Sequence, residues 1–401
     1  MPKSAFLSLT AIASIPLIIT LGNSMLVPIL PVVERQIGIS SFQSSLIISV
    51  YSIVAALFIP LAGLLSDHVG RKKVILPSLA ISGAGGLIAG LAAVFSPRPF
   101  YMILLGRFIQ GVGAAGAFPL VLPLVADVFP KEEDVSHGLG VAETANTVGK
   151  VLSPILGTLL SSVIWYLPFF TIPILALVSL LLIAFWIDGA TSKTTNQSLR
   201  NFAKNLHDVM KREGKWLTAV FSAGIIIMIV LFGLLVYLSN VLESSYHIFG
   251  IKKGLLLAIP VGTISLASYL AGRFIGEDKA RMRRTSLTGL SLMGAASLAM
   301  VFFRGLWLLL LLTAVGGFGI GISLPSLDAI LTESVEQDQR GTLTSLYSGM
   351  RYAGVAVGPP LFSLLQGYSV SAMFLSASAL SFTSVFLIFF LIRPPQEKAC
   401  L

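Results

Sequence analysis

Cysteine is almost missing from this chain of 401 residues: the only one, Cys400, is next to the last residue. No disulfide can form within the chain, and no thiolate-based metal site can be assembled. Cys400 is also not at the position that a prenylation box needs. The four histidines (His68, His137, His207, His247) are dispersed on or near predicted loops, so no metal site is expected. Charge is scarce as well. Only 11% of residues are Asp, Glu, Lys or Arg, where a soluble domain carries about 25%. No nucleophile–base pair, no phosphate-cradling loop and no appended soluble domain is evident. These absences argue against an enzyme, and no cofactor is expected.

Apolar residues make up 55% of the chain, and the mean hydropathy is +0.90. Apolar runs lie at 5–31, 43–65, 74–95, 99–125, 138–162, 165–187, 216–241, 254–276, 285–303, 306–331, 341–366 and 370–392. Each is about 20–27 residues, enough to cross roughly 30 Å of hydrocarbon as a helix. The pattern predicts an all-α integral membrane protein with twelve transmembrane helices. The first run follows a single Lys3, is too long for a signal-peptide core, and predicts a retained first helix.

The net charge of +9 is a topology signal. With both termini inside, the outer loops hold only Arg35, Arg98, Lys252, Lys253 and Arg304, and Arg107, Lys150 and Arg351 fall within spans. The inner loops, the tails and the inner end of one span (Arg273) hold the rest of the 27 cations. This asymmetry predicts a multi-pass protein of the cell (inner) membrane with cytoplasmic termini. The partner of the basic excess is anionic lipid, not nucleic acid.

The longest polar stretch, 188–215, divides the chain into 1–187 and 216–401. It opens with TSKTTNQS and continues with Leu199, Phe202, Leu206, Val209 and Met210 at helical spacing, interleaved with Arg200, Lys204, Lys211 and Arg212. That predicts a linker with an amphipathic helix on the inner membrane surface. The two halves also echo each other. Gly111, Gly113 and Pro119 return as Gly317, Gly319 and Pro325. Gly149 and Pro154 return as Gly354 and Pro359, and Leu-Ala-Gly at 61–63 returns at 270–272. Three matches in order at a nearly constant offset predict two pseudo-symmetric six-helix bundles with a site between them near mid-membrane.

The turn Gly63-Leu-Leu-Ser-Asp67-His-Val-Gly70-Arg71-Lys72-Lys73 abuts an apolar run at each end. A carboxylate and three cations therefore crowd a very short membrane-surface loop. Gly63 allows close helix packing, and Gly70 allows a turn with positive φ. This turn resembles the G-x-L-x-D-x-x-G-R-K signature of the major facilitator superfamily, with Gly63, Leu65, Asp67, Gly70, Arg71 and Lys72 as the matching residues. Leu21-Gly22 followed by Pro28 and Pro31 is similar to the first-helix motif of the twelve-helix drug:proton antiporter branch. Gly106-Arg107-Phe-Ile-Gln110-Gly111-Val-Gly113 resembles that family's R-x-x-Q-G-x-G motif. Gly149, Pro154 and Gly157 match the antiporter motif only in part, because Ser153 and Thr158 stand where it has glycines. The second-half loop GEDKARMRR keeps charge but loses the Asp–Gly–Arg spacing, which predicts asymmetric gating.

Ionisable groups deep in a membrane are functional candidates by cost alone. Glu143, Asn146 and Lys150 lie at i, i+3 and i+7 on one face of the fifth predicted helix. Entering from the inner side near residue 138, Glu143 is about 8 Å deep and Lys150 about 18 Å. Pro154 lacks an N–H and leaves the Lys150 carbonyl loose. Two readings stand side by side: a substrate-lining stripe, or a static Glu–Lys neutralisation. Arg351 sits about ten residues into its own span, facing the cavity or pairing with Glu143, and Asp328 reads as a helix-end anchor. Asn23 and Gln110 line the cavity or satisfy interhelical hydrogen bonds. The resemblance implies a proton-coupling role for Arg107, with Glu143 as the candidate carboxylate.

Together these features predict a monomeric, proton-coupled secondary transporter that works by alternating access. The small-molecule substrate is a drug-like or amphiphilic compound to be exported. The alternative is a dedicated exporter of an anionic natural product such as a siderophore, or a lipid-linked glycan translocase. The first-helix motif disfavours a nutrient importer.

Overall fold

The computed structural model describes residues 3–129, 131–187, 199–276, 278–334 and 337–392. Among the described residues, helices account for all regular structure. The first span is α1 (Lys3–Ser24), a 3-10 turn (Val27–Ile29) and α2 (Leu30–Ile37). The break is local in origin. Pro28 and Pro31 have no N–H to give to the carbonyls of Ser24 and Val27. Ile29 N–H donates instead to Leu26, in the shorter 3-10 pattern. Next come α3 (Ser41–Val69) and α4 (Arg71–Phe95). The fourth span, α5 (Pro99–Ala115) and α6 (Val121–Val128), is interrupted by a second 3-10 turn that contains Pro119. α7 (Glu132–Val163) and α8 (Leu167–Trp186) complete the first half. The second half runs α9 (Leu199–Ser244), α10 (Gly250–Ile275), α11 (Lys279–Phe302), α12 (Leu306–Glu333), α13 (Gln337–Tyr368) and α14 (Val370–Leu391).

Among the described residues, ten spans have the length and apolarity to cross a membrane. The other two of the expected twelve are α7 and α13. Each is 32 residues long, ample for a bilayer. They are less apolar because they carry Glu143, Asn146 and Lys150 on one and Arg351 on the other. The helical part of the linker is not a separate element. It begins at Leu199 and continues as the 46-residue α9. The side chains of Leu199, Phe202, Leu206, Val209 and Met210, and all of 188–198, lie outside the described residues.

In the first half, α4 packs on α5 and α8, α1 on α7 and α8, and α3 on α5. In the second, α11 packs on α12 and α14, α9 on α13 and α14, and α10 on α12. The halves meet chiefly through α3 with α13 and α7 with α10. α3 and α10 are the second spans of their halves, and α7 and α13 are the fifth. The interface is thus one contact made twice about a pseudo-two-fold axis, the architecture of paired repeats. Small residues allow the approach: a Cβ on Gly254 of α10 would come within 2.7 Å of the Pro154 carbonyl oxygen on α7.

Candidate functional site

At the end of the bundle that holds the 63–73 turn, α3 stops and α4 starts on one residue. Gly70 is the C-cap of α3 and the N-cap of α4, with φ 98° and ψ 145°, a conformation that glycine adopts far more readily than other residues. Arg71 ion-pairs with Asp67 one turn earlier and donates to Ser66 Oγ at 2.5 Å. It also reaches Asp127, at the end of α6, at 3.6 Å. Lys72 Nζ donates to the carbonyls of Ala184 (3.0 Å) and Ile187 (2.5 Å), orphan acceptors at the end of α8. Every one of these polar partners is in the first half. The turn braces α3, α4, α6 and α8 together and, among the described residues, makes no polar contact with the second half in this state. Gly63 faces Ser345 of α13 with room for a methyl group, so close packing is not what this state asks of it. Gly22 likewise has room. Gly111, Gly113, Gly149, Gly157 and Gly354 lie against neighbouring-helix backbone.

Arg107 is fully buried in the first half. Its guanidinium donates to Ile47 O (2.8 Å), Gln110 Oε1 (2.6 Å) and Asn23 Oδ1 (2.6 Å), and lies 4.3 Å from the Tyr51 ring centroid. These acceptors are all neutral. No carboxylate ion-pairs with Arg107 among the described residues. Asn23 and Gln110 therefore serve as ligands to Arg107. Tyr51 extends the cluster to the interface, where its ring is 6.4 Å from that of Tyr352 on α13.

A second cluster lies between the halves. On α7, Lys150 Nζ is 3.8 Å from Glu143 Oε1. On the opposing side, Arg351 of α13 is 3.7 Å from Asp328 of α12. The two pairs are near enough to feel each other's charge. Side-chain exposure is 70% at Glu143, 34% at Lys150, 48% at Asp328 and 26% at Arg351. These groups therefore face one another across an open space and not across a packed seam. Asn146 joins the α7 stripe, donating to Glu143 at 3.2 Å and accepting from Thr20 of α1 at 2.7 Å. Two expectations change here. Asp328 is not an isolated helix-end anchor, because it is the counter-ion of Arg351. Glu143 pairs with Lys150 on its own helix and not with Arg351, and it is not sheltered.

The other end of the bundle is shut. Glu243 at the end of α9 and Lys253 at the start of α10 are 2.7 Å apart, with side chains only 3% and 1% exposed. Glu243 also pairs with Arg35 of α2 at 2.5 Å. Lys253 Nζ donates to the Pro28 carbonyl at 2.5 Å, and Ser239 Oγ donates to it at 3.1 Å. The sequence placed Lys253 and Arg35 in outer loops and left Glu243 just beyond a span. Helix ends three to six residues longer than the apolar runs bring all three onto helices and bury Glu243 and Lys253.

Comparison with known proteins places the family and the fold. A sequence profile described as Major Facilitator Superfamily matches residues 12–279 and again 220–400. The chain is 46% identical over 392 residues to the Bacillibactin exporter of Bacillus subtilis (strain 168), with 98% of each protein covered. It is 26% identical over 376 residues to the class B tetracycline resistance protein of Escherichia coli, covering 89% of this chain and 88% of that one. The crystal structure of the human organic anion transporter MFSD10 (TETRAN) superposes with a TM-score of 0.74 at 21% identity. It covers 97% of this chain and 100% of that one, a likeness of fold.

Proposed function

This chain belongs to the Major Facilitator Superfamily, a family of membrane transporters, and we propose that it exports an anionic small molecule of the siderophore type from the cell. The observation that carries the reading is the charged open space between the halves. Lys150 and Arg351 face that space from opposite halves, each beside one carboxylate, Glu143 and Asp328. A bound anion would be held by these two partly exposed cations in exchange for their weak carboxylate contacts. Lys150 and Arg351 belong to different halves and are only loosely held, at 3.8 and 3.7 Å. An anion that reaches both draws the halves together around itself, which is what alternating access requires. The relative of 46% identity named as an exporter of bacillibactin supports the same substrate class.

The end with the Arg71 turn is the cytoplasmic end in this reading, and the state seen here is open to the cytoplasm and closed to the outside. Export of an anion is favoured by an inside-negative potential, by about 2.3 kcal/mol per charge per 100 mV. Proton entry through Glu143 is the proposed coupling step, and the protein works as a monomer. The tetracycline resistance relative favours a second reading, efflux of drug-like compounds. One assay separates them. Energised everted vesicles carrying the protein should accumulate a labelled anionic siderophore, and neutral or cationic drugs should neither accumulate nor compete. Accumulation of the drugs without the siderophore would overturn the anion reading.

A further inference from the structure

The first-helix proline pair has a use that the cavity does not explain. In a 3-10 turn the Pro28 carbonyl would bond to the N–H three residues on. That residue is Pro31, which has none. The P-x-x-P spacing thus leaves one carbonyl free at the end of the bundle opposite the Arg71 turn. Two groups of the other half converge on it: Lys253 Nζ at 2.5 Å and Ser239 Oγ at 3.1 Å. Lys253 has its own counter-ion, Glu243, within its own half. Glu243 in turn holds Arg35, seven residues after the free carbonyl and half exposed. Glu34, beside Arg35, is already committed to Ser41 and Ser44.

We propose that Arg35, the Pro28 carbonyl, Glu243 and Lys253 form a lock that closes the outer end, and that it opens along one defined line. The Arg35–Glu243 bridge and the two bonds to Pro28 break. The Glu243–Lys253 pair travels intact with the second half. The division makes physical sense. Separating Glu243 from Lys253 would strand two buried charges, whereas releasing Arg35 delivers a half-exposed guanidinium to water. A free backbone carbonyl is a neutral acceptor that water satisfies once the end opens. The lock rests on the transporter reading above, and its test does not depend on substrate or transport.

The reporter is Ser49→Cys in a Cys400→Ser background. Ser49 is buried on α3, about 12 Å below the closed end, and donates across the interface to Ala356 O at 2.6 Å. The full-length protein in right-side-out and everted vesicles is treated with a membrane-impermeant maleimide. Opening of this end raises the labelling rate from the face nearest the lock, and which vesicle type that is gives the orientation. Arg35→Ala should raise the rate roughly tenfold, and Arg35→Lys should return it most of the way. Arg98→Ala, an outer cation outside the cluster, should leave it unchanged. Glu243→Gln, scored only where the purified protein remains monodisperse, should act in the same direction as Arg35→Ala. An Arg35→Ala rate equal to the parent's from both faces would overturn the lock.

Discussion

Replacing Lys150 with alanine separates binding from packing, and the structure sets the size of both effects. The Glu143–Lys150 pair has a 3.8 Å separation and exposed partners. At about 4 Å two charges attract by about 1 kcal/mol in water, and exposed pairs are worth about 0–1 kcal/mol net. Lys150→Ala should therefore cost no more than about 1 kcal/mol of stability, a melting shift of a few degrees at most in detergent. A tightly buried pair would instead cost about 3–5 kcal/mol when one partner is removed. The binding effect is larger. A charge-assisted hydrogen bond to the substrate is worth about 1.5–3 kcal/mol, so affinity should fall roughly 10- to 100-fold. The assay is direct binding of the anion to purified protein, paired with thermal unfolding of the same preparation. A large loss of melting temperature would show that Lys150 acts as structural filler. Full transport by the Glu143→Gln, Lys150→Met double variant would equally refute the substrate role, since the site would then work without either charge.

Glu143→Gln should keep binding and downhill exchange while proton-dependent accumulation in vesicles disappears; accumulation at the parental level would move the coupling site elsewhere. Asp67→Ala and Asp127→Ala each remove one partner of Arg71, and both should insert normally yet slow transport at least tenfold if the brace differs between states. Arg107→Lys keeps the charge but cannot match a fork that serves three acceptors, so it should lose most transport and lower the melting temperature; an active, stable lysine variant would show that charge alone suffices. Gly254→Ala puts a methyl group 2.7 Å from the Pro154 carbonyl oxygen. It should reduce yield or stability by about 1–3 kcal/mol, measured by unfolding of the purified protein.

The fold was legible because membrane spans announce themselves by length and apolarity. The two spans that fall short on apolarity, α7 and α13, do so because their polar residues face the space between the halves. The α7 stripe was legible too, since i, i+3 and i+7 share a helical face wherever the helix lies. Pairings between helices were not. Nothing in sequence spacing ties Asp328 to Arg351, Arg71 to Asp127, or Lys72 to the last carbonyls of α8. Arg107 shows a different limit. The family resemblance implied a carboxylate near it, and the structure satisfies it with Asn23, Gln110, a backbone carbonyl and the Tyr51 ring. Glu243 and Lys253 were missed because a boundary error of a few residues moves a charge from loop to interior.

The unbroken helix α9 has a mechanical consequence. Its 46 residues make a rod of about 69 Å. One end emerges from the connection between the halves, and the other carries Glu243. A rod of that length is a lever. A tilt of about 10° about its middle moves each tip by about 6 Å, more than an ion pair can stretch. Whatever pulls on the connector is therefore felt at the opposite surface of the membrane without any relay through side chains. Inserting a pair of glycines near Gly214 would put a joint in the shaft, and the two surfaces should then lose their synchrony.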